Sequence, residues 1–209
     1  MTMWPKPSAS ERAATRAIRA AETALLLLVA LALSHVLSAV AAERVVIPEG
    51  RHILVDGKLG PGEWADARRI AASDSVTLYL KRDGRYLYVA LQPAQGAFSV
   101  DLYFDRGGGA RILDLHASAK LGEREGEFGQ WPDWVWWNNR GWAANVVRVA
   151  SFEPREFLAD EAKEYQIEVG RLGARRVWLS VDVQVGDETR SIPSEGPERY
   201  GRRWLELRL

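Results

Sequence analysis

Between Val177 and Val185 the chain alternates strictly. Val177, Leu179, Val181, Val183 and Val185 are aliphatic, and Trp178, Ser180, Asp182 and Gln184 separate them. Successive side chains of a strand point to opposite faces, so this pattern buries one face and leaves the other polar. Phe98, Val100, Leu102 and Phe104 alternate in the same way with Ser99, Asp101, Tyr103 and Asp105. Weaker versions lie at 76–81, 85–91, 111–117, 143–150, 164–169 and 202–208. Turn signals such as Arg82-Asp83-Gly84, Gly107-Gly108-Gly109 and Val185-Gly186-Asp187 separate them. Helical signal is confined to two turns over Pro61–Ile70 and one or two over Pro154–Asp160. The pattern therefore predicts an all-β chain, a single antiparallel β-sandwich of immunoglobulin-like architecture. A parallel α/β fold is excluded by the lack of crossover helices.

Residues 1–42 read as an address rather than part of that fold. Lys6, Arg12, Arg16 and Arg19 precede an apolar run from Thr23 to Leu33, and small residues cluster at Ser38-Ala39-Val40-Ala41-Ala42. This is the layout of a signal peptide cleaved after Ala41 or Ala42. The alternative is an uncleaved anchor helix, in which case the protein contacts the membrane. Either way the sandwich, residues 43–209, is expected in the periplasm or outside the cell, the basic flank staying inside. No internal repeat or linker divides it.

The chain has no cysteine, so an exported fold of this kind rests on core burial without disulfides, and thiolate chemistry is excluded. Lysine plus arginine and aspartate plus glutamate both number 28, a balance that argues against a nucleic-acid partner.

The segment Ile53-Leu54-Val55-Asp56-Gly57 leads to Glu63-Trp64-Ala65. A strand pattern at 76–80 follows, and then Asp83-Gly84-Arg85-Tyr86-Leu87-Tyr88-Val89-Ala90. This resembles the opening of the family 9 carbohydrate-binding modules, within the wider DOMON-like group of β-sandwiches, and Phe98–Asp105 resembles the next strand. The resemblance implies a non-catalytic sugar-binding module in which a pair of aromatics clamps the ligand. Asp56-Gly57 is turn chemistry and Trp64 a plug at one end of the sandwich, so both have structural roles. Some members hold structural calcium. Asp101, Asp105 and Asp114 are available for it, but their spacing defines no metal loop, so no cofactor is expected.

Five of the nine tryptophans, Trp131, Trp134, Trp136, Trp137 and Trp142, fall within twelve residues. An indole covers the C–H face of a sugar ring, and neighbouring amides and charges bond its hydroxyls. Gln130, Asp133, Asn138, Asn139 and Arg140 lie among these tryptophans. The candidate ligand-binding set is Trp131, Trp134, Trp136, Trp137, Asn138, Asn139, Arg140 and Trp142, with Trp178 in a second patch beside Ser180, Asp182 and Gln184. Alternation also requires some of these indoles to be core, and a loop covering Trp178 is the competing expectation. His52 and His116 read as surface histidines, and Glu123-Arg124-Glu125-Gly126-Glu127 as a solvated loop.

Other functions fit less well. Haem at one end of the sandwich needs axial ligands, and both methionines, Met1 and Met3, lie in the leader, leaving only a His52–His116 pairing. Glycoside hydrolysis needs a spaced carboxylate pair, and no nucleophile motif stands out. The runner-up is an interaction domain of the cell envelope, with the tryptophans facing a protein partner.

Overall fold

The structure is a computed structural model. It describes residues 44–209 apart from 74–75, 93–96, 108–110, 128, 138–139, 153–154, 159 and 195–203. The leader at 1–42 and the candidates Asn138 and Asn139 lie outside the described residues.

Among the described residues, fifteen strands run in chain order. They are β1 (Arg44–Val46), β2 (Arg68–Ser73), β3 (Val76–Arg82), β4 (Tyr86–Gln92) and β5 (Ala97–Asp105), then β6 (Ile112–Ala117), β7 (Leu121–Gly126), β8 (Val135–Trp136) and β9 (Trp142–Ala144). After these come β10 (Arg148–Phe152), β11 (Arg155–Leu158), β12 (Lys163–Glu168), β13 (Arg176–Val185), β14 (Glu188–Ile192) and β15 (Leu205–Arg208). Among the described residues, a short helix, α1 (Val169–Leu172), ends at Gly173, whose left-handed φ of 67° suits glycine.

The larger sheet has the order β1-β15-β13-β5-β6-β7-β8, with β14 also paired to β13. The smaller runs β2-β3-β4-β12-β9, and β10-β11 form a separate ribbon. Among the described strands pairing is antiparallel except between β1 and β15, which run parallel. That edge departs from the purely antiparallel expectation.

The two sheets meet over the aliphatic faces read from the alternation. Val100, Leu102 and Phe104 of β5 and Val177, Leu179 and Val181 of β13 are fully buried, as are Leu78, Leu80, Leu87 and Val89 of the smaller sheet. Tyr165 of β12 crosses this core and donates its hydroxyl to the Val100 carbonyl at 2.8 Å, which satisfies a buried phenol and ties the sheets together.

A second cluster covers the outer face of the smaller sheet, where Ile53, Trp64, Tyr79, Tyr88 and Ala90 are buried. Its anchor is Glu164 of β12. That carboxylate accepts hydrogen bonds from the amides of Asp56 (3.0 Å) and Gly57 (2.9 Å) and from Trp64 Nε1 (3.0 Å). The structural role expected of Asp56, Gly57 and Trp64 is what the fold uses. Gly57 has φ 83°, and a Cβ there would lie 2.8 Å from Asn145 and 3.0 Å from Asp160, so glycine is required twice over.

Three local expectations change. The segment Pro61–Ile70 is not helical: residues 61–67 make a series of tight turns, with Glu63 N bonding Gly60 O and Ala67 N bonding Trp64 O, and 68–70 already belong to β2. Arg155–Leu158 is a strand, not a helical turn. The charge run at 123–127 is largely strand β7, whose alternate residues face a packed layer rather than water.

Candidate functional site

The side of the larger sheet that faces away from the core carries the chemistry. Its strands pair so that Ser191, Asp182, Asp101, His116, Gly122 and Trp136 stand opposite one another in a single row across β14, β13, β5, β6, β7 and β8. Next to it runs the row Ser180, Tyr103, Asp114 and Arg124. Side chains in register on one face are nearest neighbours, so residues far apart in sequence become one surface.

Asp101 and Asp182 face each other directly, and like charges in that position destabilise a sheet. Each is tied down. His116 Nδ1 lies 2.7 Å from Asp101 Oδ1, and Ser191 donates its hydroxyl to Asp182 at 2.6 Å. With Asp101 ionised, His116 carries its proton on Nδ1, and Nε2 accepts from the Ser118 hydroxyl at 2.9 Å. The Asp101 and His116 side chains keep 19% and 16% of their surface exposed, enough to meet a ligand.

Asp114 lies deeper and is fully buried. Burial raises its carboxyl to about 8, and the charges of Asp101 and Asp182 push the same way against the hydrogen bond and charge of Arg124. Arg124 Nε donates to Asp114 Oδ2 at 2.8 Å, while Oδ1 is buried with no hydrogen-bond partner among the described residues.

The tryptophans lie on this face because β7 makes room for them. Gly122, Arg124 and Gly126 point the same way. A Cβ on Gly122 would lie 2.6 Å from the Trp136 ring and 3.1 Å from Trp134. A Cβ on Gly126 would lie 2.9 Å from Pro132 and 3.5 Å from Trp131. Between these glycines the Arg124 guanidinium lies 4.0 Å from the Trp134 ring centre and 4.5 Å from that of Trp131. Trp134 stacks on Trp136 at 5.3 Å and 27°, and Lys120 Nζ approaches the Trp136 ring to 3.5 Å. The result is a ladder of Lys120, Trp136, Trp134, Arg124 and Trp131, held by cation–π and stacking contacts. His116 packs against both Trp134 (5.2 Å) and Trp136 (5.7 Å), which joins the ladder to the polar row.

The predicted tryptophans therefore divide. Trp136 and Trp137 are 37% and 60% exposed, and Trp131 and Trp134 are half-buried in the ladder. Trp137 has φ 59°, an uncommon conformation for a bulky residue, and its amide bonds the Leu121 carbonyl at 2.9 Å. Trp142 is corrected to a core residue. It is 4% exposed, stacks on Tyr165 at 6.4 Å, and donates Nε1 to Glu123 at 2.7 Å, so it has no face left for a ligand. Arg171 meets the same Glu123 carboxylate at 2.7 Å. Arg140 is exposed at a turn, where its carbonyl accepts from Arg171.

Trp178 is half-buried. It packs with Tyr103, Ile112 and the fully buried Trp204, with Arg176 over its ring at 5.2 Å, which agrees with the covered alternative. Among the described residues no group of three or more acidic, histidine or cysteine side chains is placed to hold a metal.

Asp101, His116 and Arg124 were not in the predicted set. Alternation puts Asp101 and His116 on polar faces, but only the pairing of β5, β6 and β13 brings Asp101, His116 and Asp182 together. Arg124 looked like one charge in a solvated run. The signal missed was the pair of glycines flanking it at a spacing of two.

A groove of about 600 Å³ is lined by Arg111, Glu125, Gly126, Glu127, Gln130, Trp131 and Pro132. A cleft of about 260 Å³ opens on the other sheet between Trp64, Tyr79, Arg69 and Glu161. In that cleft Tyr79 donates to Gln92, and Gln92 to Glu161, so its polar groups already satisfy one another.

No family model matches the sequence, and a search of curated proteins finds no relative. Solved structures do match. A family 9 carbohydrate-binding module from Caldicellulosiruptor kristjanssonii, solved with cellotriose, superposes with a TM-score of 0.50 at 13% identity, covering 80% of this chain and 93% of that one. The fold is CBM9-like. A Bacteroides uniformis protein assigned a carbohydrate-binding role matches with a TM-score of 0.51 at 10% identity, covering 80% and 99% of the two chains. The CBM9-like sandwich agrees with the resemblance read from Asp56-Gly57, Trp64 and the strand at 86–90.

Proposed function

We propose that this protein binds carbohydrate without altering it, through the polar row on the outer face of its larger sheet. The observation that carries the reading is the line of Asp182, Asp101 and His116 across three strands, ending against Trp134 and Trp136. Carboxylates and an imidazole accept and donate to equatorial hydroxyls, and the exposed indole edges of the ladder meet the ring's C–H groups. Holding two carboxylates opposite each other costs stability, and a ligand rich in hydroxyl donors recovers part of that cost. The neighbours are named for binding rather than catalysis, and one of them holds cellotriose, which makes β-linked glucose oligomers the first ligands to try.

The test is intrinsic tryptophan fluorescence of the full chain during titration with glucose, cellobiose, cellotriose, xylobiose and longer glucans. A saturable change that is lost in Trp136→Ala supports the reading. A flat response from folded protein to every sugar contradicts it. Export belongs to the same reading and rests on the sequence of residues 1–42. Sequencing the mature N-terminus distinguishes a cleaved leader, with a start near Glu43, from a retained anchor.

A second reading, contact with a cell-envelope protein, is favoured by one observation. On β8, the terminal strand of the larger sheet, Trp136 (37% exposed) and, just after the strand, Trp137 (60% exposed) bring indole surface to the sheet edge. A partner recovered by cross-linking at Trp137, with no sugar response, would support it over the first.

A further inference from the structure

The groove beside Trp131 lies away from the polar row, at the other end of β7. Gly122, under Trp134 and Trp136, and Gly126, under Trp131 and Pro132, are four residues apart on one strand face. At the rise of an extended strand this separates the two aromatic stations by about 13 Å. A single sugar ring cannot bridge that distance, whereas a trisaccharide or longer chain does. The volume, about 600 Å³, has room for a sugar ring, in an open surface groove rather than an enclosed cavity.

The chemistry of the groove selects the kind of ligand. Trp131 and Pro132 supply apolar wall, and Gln130, Arg111 and Glu125 a polar rim. Glu125 is paired with both Arg106 and Arg111, the latter at 3.3 Å, and Glu127 lines the same groove, so two carboxylates balance two guanidiniums at the rim. Such a surface suits a neutral, amphipathic ring better than a uronic acid or an amino sugar. The Arg124 guanidinium fills the space between Trp134 and Trp131 and makes the face continuous from one station to the other.

We infer that the Trp131 groove is a second subsite, and that the ligand is a neutral linear oligosaccharide long enough to lie along the ladder from the polar row to this groove. The inference rests on the carbohydrate reading above and adds a length requirement to it. Two stations joined through one ligand give an affinity that grows with chain length until both are filled, and then levels off.

The experiment is calorimetric titration of the full chain with glucose, cellobiose, cellotriose, cellotetraose and cellopentaose. Wild type is expected to gain about tenfold or more in affinity between cellobiose and the longer oligomers. Arg111→Ala and Gln130→Ala, both on the rim and outside the ladder, are expected to erase that gain while leaving cellobiose binding unchanged. Trp131→Ala, checked for folding by near-ultraviolet circular dichroism, should lose the gain as well. An affinity independent of chain length, or rim variants that bind every oligomer as wild type does, would overturn the second subsite while leaving the first reading intact. Failure to bind any of the sugars would overturn both.

Discussion

The guanidinium carbon of Arg124 lies 4.0 Å from the centre of the Trp134 ring, and the same side chain donates to the buried carboxyl of Asp114 at 2.8 Å. One arginine thus couples the tryptophan layer to the sheet beneath it. Arg124→Met keeps the stem and removes the charge, the hydrogen bond and both ring contacts. Hydrogen bonds to charged groups are worth about 1.5–3 kcal/mol, and the variant should lose about that much stability in urea denaturation. A loss under about 0.5 kcal/mol, the level of an ordinary surface substitution, would show that the ladder contributes little.

Asp114 makes stability depend on pH in a defined direction. Its folded carboxyl, raised to about 8 chiefly by burial, holds a proton more tightly than the unfolded chain does at 3.8. Its contribution to stability is therefore complete below 3.8 and is lost as the pH rises towards 8. Glu164, raised to about 7 by burial, adds a slope of the same sign to wild type and variant alike. Asp114→Asn should flatten the fall in stability between pH 4 and 8 relative to wild type. Parallel curves for the two proteins would mean that Asp114 is ionised throughout.

Gly122 is predicted to act on the site rather than on the core. A methyl group there meets the Trp136 ring at 2.6 Å, closer than a Cβ contact allows, so the ring must move. Gly122→Ala should fold and should reduce sugar affinity about tenfold, about 1.4 kcal/mol of binding free energy. Unchanged affinity would place the ligand away from Trp136.

Glu164→Gln examines the cover on the other sheet. Glutamine has one acceptor oxygen where Glu164 uses two, so one of the Asp56, Gly57 and Trp64 donors loses its partner. Leaving a buried donor unpaired costs about 1–3 kcal/mol, read as a lower midpoint in urea. Sugar affinity should not change, because this face lies across the sandwich from the polar row.

Much of the sandwich was legible because its strands alternate. The periods at 98–105 and 177–185 place Val100, Leu102, Leu179 and Val181 inward, and the Asp56-Gly57 and Trp64 motif marks a structural cluster, which covers the outer face of the smaller sheet rather than one end of the sandwich. The site was legible only in part. The density of tryptophans between 131 and 142 pointed to the right face, but local alternation cannot say that Trp142 belongs to another strand, β9, in the other sheet. Nor can it bring Asp182 opposite Asp101, residues separated by about half of the domain. The run at 123–127 misled because its acidic residues look solvated, yet Glu123 is tied to Trp142 and Arg171, and Glu125 to Arg106 and Arg111. Charges that pair within the fold carry the same composition as charges that face water.

The most direct test of the central claim is calorimetric titration of the full chain with cellotriose, comparing wild type with Asp101→Asn and Asp182→Asn. Each substitution removes one carboxylate from the row and keeps its shape, and each also relieves the repulsion between the pair. The account predicts saturable binding by wild type and a loss of about tenfold or more in both variants, with folding stability equal to or above that of wild type. Binding by the variants equal to wild type, or no heat with cellotriose or any other sugar tried on folded protein, would contradict it.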